Sequence, residues 1–88
     1  MRVTTTSKFK RDLRLAQRRG RDLERLWAIV ELLEVGSPVP PQHKPHPLSG
    51  PYAGTWECHV EPDWLLIWAT EQDTVLLLRT GTHSDLFR

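Results

Sequence analysis

Two hydrophobic periods divide the chain. From residue 7 to residue 33 apolar positions recur every three or four residues, and from residue 56 to residue 80 they alternate or run together. In the first region Phe9, Leu13 and Ala16 share a helical face behind Ser7, a residue type that caps helix N-termini, and Gly20 reads as the stop. Asp22 can cap a second helix with the stripe Leu23, Leu26, Trp27, Val30 and Leu33, which Gly36 ends. Ahead of both, residues 2–5 (RVTT) are short and partly β-branched, as expected of an edge strand.

Six of the seven prolines lie between Ser37 and Gly54, which excludes helix interior and central strand there and predicts a long ordered loop. Loops of that length in a small domain are commonly functional, and this one carries His43, His46 and Tyr52. After it Trp56, Cys58 and Val60 alternate with Glu57, His59 and Glu61, the pattern of a strand with one buried face. Pro62 and Asp63 make a turn, residues 64–70 form a nearly continuous apolar strand, and residues 71–73 turn again into a third strand over 74–80. Gly81 closes it, and the tail THSDLFR has the makings of a last helical turn. The expected fold class is α+β: strand, helix, helix, loop, then a three-stranded antiparallel meander, with the helices on one face.

Eighty-eight residues suit one domain spanning 1–88 with one core, so any site must be built on that scaffold. A single cysteine, Cys58, excludes an internal disulfide. The N-terminal residues lack a signal-peptide pattern, and no apolar run is long enough to cross a bilayer, so a cytoplasmic protein with no membrane partner is expected. The net charge of +1 hides an asymmetry: residues 1–25 hold nine Lys/Arg against three Asp/Glu (+6), whereas residues 26–88 hold three against eight (−5). The basic helical hairpin with Lys8, Lys10, Arg11, Arg14, Arg18, Arg19 and Arg21 is either a solvated helix face or, given its density and single sign, a surface that meets a polyanion.

If the meander turns pair positions summing to 124 and 144, His59 faces Leu65 and Leu65 faces Arg79. That places His59 and Arg79 on one face, roughly 10 Å apart across two strands. Asp63 and His83 adjoin them, and His46 can join from the loop. Two imidazoles, a carboxylate and a guanidinium suit cleavage of RNA by its own 2′-hydroxyl. A base takes the hydroxyl proton, a cation stabilises the five-coordinate phosphorus, and an acid protonates the leaving 5′-oxygen, with no metal or other cofactor required. Histidine suits both proton transfers, and the planar fork of arginine suits a phosphate. Plainer readings are a surface histidine at 59 or 83, a salt-bridged Arg79, and a solvent-exposed His43. Trp27 and Trp56 fall on core stripes, and Phe87 is either core or a platform for a base. Zinc bound by Cys58, His59, Asp63 and His83 is disfavoured, because consecutive strand residues point to opposite faces.

The segments HPLSG (46–50), ECHVEPDWLLIW (57–68) and LLRTGTHSDLF (77–87) resemble, in this order, the YafQ branch of the RelE toxin superfamily. The resemblance implies a fold like that of microbial ribonucleases and activity as a ribosome-dependent messenger RNA interferase, with neutralisation by a cognate antitoxin. It leaves open whether the toxin–antitoxin complex binds operator DNA. It places the functional residues at His46, His59, Asp63, Arg79, His83 and Phe87. His83 would be the general acid, His59 and Asp63 would handle the nucleophile's proton, Arg79 would hold the phosphate, and Phe87 would position the nucleotide. The basic hairpin would lie against ribosomal RNA. A relative of the same fold that acts on DNA gyrase, and a non-catalytic RNA-binding module, are the alternatives.

Overall fold

The computed structural model describes residues 1–87; Arg88, the last residue of the predicted terminal turn, lies outside the described residues. The elements run β1 (Arg2–Thr5), α1 (Ser7–Arg18), α2 (Leu23–Glu34), β2 (His46–Pro47), β3 (Trp56–Glu61), β4 (Trp64–Glu71), β5 (Thr74–Gly81) and α3 (His83–Leu86), with single 3₁₀ turns at Pro41–His43 and Gly50–Tyr52 in the proline-rich loop. The predicted meander is the centre of a larger sheet of order β1-β5-β4-β3-β2. β1 lies parallel to β5, and α1 and α2 form the crossover that a parallel pairing requires.

Each helix begins where a side chain satisfies an amide of its first turn. For α1 that residue is Thr6 rather than Ser7, its hydroxyl accepting from the Phe9 N–H at 3.0 Å, and for α2 it is Asp22. Phe9, Ala16, Leu26, Ile29 and Val30 pack against Cys58, Val60, Trp64, Leu66, Trp68, Val75 and Leu77 in the main core. The five consecutive apolar residues of β4 are all buried because its other face is also covered. There Leu65 and Ile67 meet Leu86 of α3 together with Leu48, Tyr52 and Leu78. The two long helices α1 and α2 thus share one face as expected, and the short α3 with the loop covers the other.

Two tryptophans depart from the sequence pattern. Trp27 and Trp56 are 37% and 42% exposed, at the margins of their stripes, with Trp27 edge-on to Phe9 and Trp56 stacked on Trp68. The register between β3 and β4 is as expected, with His59 opposite Leu65. That between β4 and β5 is not: Leu65 lies opposite Gly81, and Arg79 opposite Ile67. The turn after Glu71 is one residue tighter than anticipated, with Gln72 at φ 52°, and Leu78 is an extra residue bulged into β5. The two shifts add to two residues, so Arg79 keeps its face but moves one pair away from His59.

Beyond Thr5, β1 no longer covers the edge of β5, and α1 takes over that role. The Thr6 hydroxyl donates to the Leu78 carbonyl at 2.8 Å, and Asp12 accepts the Thr80 N–H at 3.1 Å. Thr80 itself is buried without an unmet polar atom, its hydroxyl accepting from the Trp64 indole and donating to the Leu65 carbonyl. No helix among the described residues is long and apolar enough to cross a membrane.

Candidate active site

His59, Asp63 and His83 converge at the β3–β4 turn, where β5 ends. The rings of His59 and His83 lie 5.7 Å apart. One oxygen of Asp63 accepts both the backbone N–H of His83 (3.0 Å) and its Nδ1–H (2.8 Å). These two contacts, the backbone one first, hold the Asp63 carboxyl below the usual carboxylate range. On His59, Nδ1 lies 3.1 Å from the Pro62 carbonyl, which can only accept, so this nitrogen carries the hydrogen. Both rings are thus oriented through Nδ1, with no hydrogen bond from Nε2 among the described residues. Their partners differ: Asp63 supplies a counter-charge for a protonated ring at 83, whereas a neutral carbonyl supplies none at 59.

An aromatic line continues from this pair. His83 lies 6.4 Å from Phe87, and Phe87 packs edge-on against Tyr52 at 5.6 Å. Tyr52 in turn adjoins Arg79 in a groove that also receives Lys8, Thr6, Thr55 and Leu78. The guanidinium of Arg79 is not free, however. Its Nε and Nη2 donate to the two oxygens of Asp12 at 2.6 and 3.1 Å, and this pairing raises the Arg79 pKa above its ordinary value. Two of its five N–H bonds are used in this pair, and the Tyr52 hydroxyl lies beside the guanidinium. The plainer reading of Arg79, a salt bridge to a helix, is therefore correct for one side of the side chain.

His46 stands on the short β2, opposite Glu57. Its Nδ1 donates to the Lys44 carbonyl at 2.8 Å, and its Nε2 meets Glu57 Oε1 at 3.2 Å. Glu57 is 4% exposed and its second oxygen has no partner among the described residues. His43 is half-buried rather than solvated, because its Nδ1 donates to the His59 carbonyl at 2.7 Å and so covers an open stretch of the β3 edge.

Asp12 and Glu57 are the residues that the sequence pattern did not single out, although each left a trace. Asp12 lies three residues after Phe9 on the buried stripe of α1, where a carboxylate needs a partner. Glu57 has the same strand parity as His59, two positions away. Of the basic residues, Lys8, Lys10, Arg11, Arg14 and Arg18 are exposed and have no carboxylate within ion-pair distance among the described residues. Arg19 differs, because it pairs with Asp85 at 2.7 Å.

Cys58 points into the main core while His59 lies on the opposite face, so the two do not converge on one ion. Burial, reinforced by the neighbouring Glu57 charge, pushes the Cys58 thiol up to about 12. Native protein at pH 8 is accordingly expected to react with iodoacetamide only at the rate at which it opens, and denaturant is expected to accelerate labelling strongly. Rapid labelling of the fully folded chain, followed by mass spectrometry, would contradict this placement.

Comparison with known proteins matches the model of one family, described as "Bacterial toxin of type II toxin-antitoxin system, YafQ", to residues 1–88. The mRNA interferase toxin YafQ of Escherichia coli strain K12 is 39% identical over 86 residues, 97% of this chain and 94% of that protein. The crystal structure of YafQ from E. coli strain BL21(DE3) superposes with a TM-score of 0.94 at 36% identity, covering 100% of both chains. A structure of the E. coli DinJ-YafQ complex gives 0.91 at 37% identity, again covering 100% of both chains.

Proposed function

The chain belongs to the YafQ family of bacterial toxins of type II toxin–antitoxin systems, and on that premise we propose that it is an endoribonuclease that cuts messenger RNA on the ribosome and is silenced by a cognate antitoxin. One observation carries the chemistry: two imidazoles 5.7 Å apart, each oriented through Nδ1, one backed by a carboxylate and the other by a carbonyl.

His59 Nε2 takes the proton of a ribose 2′-hydroxyl as O2′ forms its bond to phosphorus. As the P–O5′ bond breaks, His83 gives its Nε2 proton to the departing oxygen, leaving a 2′,3′-cyclic phosphate and a 5′-hydroxyl. Asp63 balances the charge of the protonated His83. The remaining N–H bonds of Arg79 face the negative charge that builds on the phosphoryl oxygens, with Asp12 fixing the plane of the guanidinium. Phe87 and Tyr52 offer faces for the flanking bases. His46, held by Glu57 on the face of the sheet that carries His59, adds a further imidazole to that face. The exposed cations Lys8, Lys10, Arg11, Arg14 and Arg18 hold ribosomal RNA through its phosphates. The relative solved with DinJ supports an antitoxin partner here as well.

Primer extension on messages from cells expressing the chain tests this reading. New cuts at codon boundaries are expected, absent when position 83 or 79 is alanine. Protein treated with EDTA and then desalted should cut a translated message as well as untreated protein does. No message cleavage during growth arrest, or cleavage that survives alanine at 83, would sink the assignment.

A further inference from the structure

Arg19 has the charge and position of an RNA-binding cation, but its contacts are those of a strut. It is the C-terminal cap of α1, and its guanidinium lies end-on to Asp85, with Nη1 to Oδ2 at 2.7 Å and Nη2 to Oδ1 at 3.3 Å. Asp85 belongs to α3, whose first residue is His83. Its carboxylate also accepts the Thr82 N–H at 2.9 Å, while its own N–H donates to the Thr82 hydroxyl at 3.1 Å. The Asp85 side chain rests on Gly81, where an added Cβ would lie 3.0 Å from Oδ2. Thr82 is therefore tied to this carboxylate, and the next residue, His83, to Asp63.

Two residues along, across the left-handed Gly20 (φ 78°), Arg21 reaches the opposite side of the site. It meets Glu61 and the Asp63 carbonyl at 3.4 Å and covers the Trp64 ring at 5.3 Å. The α1–α2 corner thus grips both segments that bring the His83–Asp63 pair together. A four-residue helix has little cohesion of its own, and among the described residues α3 is otherwise held by the buried Leu86, by Asp63 and by the ring contacts of His83 with His59 and of its cap Phe87 with Tyr52. From this geometry we infer that Arg19 is a positioning residue for His83, acting through Asp85, and is not a contact for RNA; Arg21 is its counterpart for Asp63. The inference builds on the proposed cleavage chemistry and refines it.

The test uses the full chain carrying Arg19→Ala, Arg19→Lys, Asp85→Ala, or Arg19→Ala with Asp85→Ala. Kinetics of cleavage are measured over a range of salt, and the His83 ring and amide are followed by NMR. Arg19→Ala and Asp85→Ala are each expected to lower kcat about ten-fold at similar KM, since misplacing a reacting group by an ångström costs one to two orders of magnitude. The double variant should be no worse than either single one, and lysine at 19 should restore part of the rate. The His83 signals should shift in both single alanine variants, with thermal melts showing a folded protein. An Arg19→Ala variant that raises KM and flattens its salt dependence, beside an unaffected Asp85→Ala, would make Arg19 an RNA contact and overturn the inference. Unmoved His83 signals would overturn it too, whatever the kinetics. If the unmodified chain cuts no RNA, the cleavage reading fails, yet the NMR comparison still decides whether Arg19 sets His83.

Discussion

Alanine at position 83 is expected to lower the rate constant for cleavage by about 10²–10⁴, the span that a positioned general acid contributes. The fold should survive, because the ring is largely exposed and the contact that fixes this turn is partly backbone: the N–H of residue 83 still donates to Asp63 in the variant. The loss should therefore fall on kcat, with the thermal midpoint shifted little. Asp63→Asn keeps an acceptor for both N–H groups and removes only the counter-charge, and a smaller loss is expected. Equal rates for the unmodified chain and the alanine variant in single-turnover assays would remove His83 from the chemistry.

The parts of this site legible in sequence were those set by local rules. Period-two alternation placed His59 and Cys58 on opposite faces, and the Pro62–Asp63 turn fixed the β3–β4 pairing, so Asp63 fell beside His59 as expected. Capping and stop residues fixed the two long helices to within a residue. What escaped depended on pairings between distant segments. A tight turn at Gln72 and a bulge at Leu78 each shift register by one, and neither leaves a mark in the alternation of TVLLLRT, where three leucines in a row suit either face. The parallel docking of β1 on β5 follows from the crossover through α1 and α2, which only the assembled sheet reveals. Arg19 resembles its basic neighbours in the sequence, and only the fold brings Asp85 to it across 66 positions.

On the proposed chemistry Arg79 has two jobs that a single substitution confounds, and a double substitution can separate them. In Arg79→Ala the Asp12 carboxylate, 11% exposed, loses both guanidinium hydrogen bonds and stays facing the sheet edge as an uncompensated charge. Stranding such a charge costs about 3 kcal/mol, which in a chain of this size lowers Tm by roughly 10–20 °C. The same change removes a fixed cation from the developing phosphorane, a loss of about 10²–10³ in kcat. Adding Asp12→Ala removes the stranded charge, leaving the Thr80 N–H as the one group without its acceptor. The double variant should therefore regain much of the lost Tm and none of the lost rate. Thermal melts and single-turnover cleavage on the same preparations decide the matter. Should the double variant recover cleavage together with stability, the guanidinium would be only a structural partner of α1, and the charge that steadies the transition state would have to come from another residue.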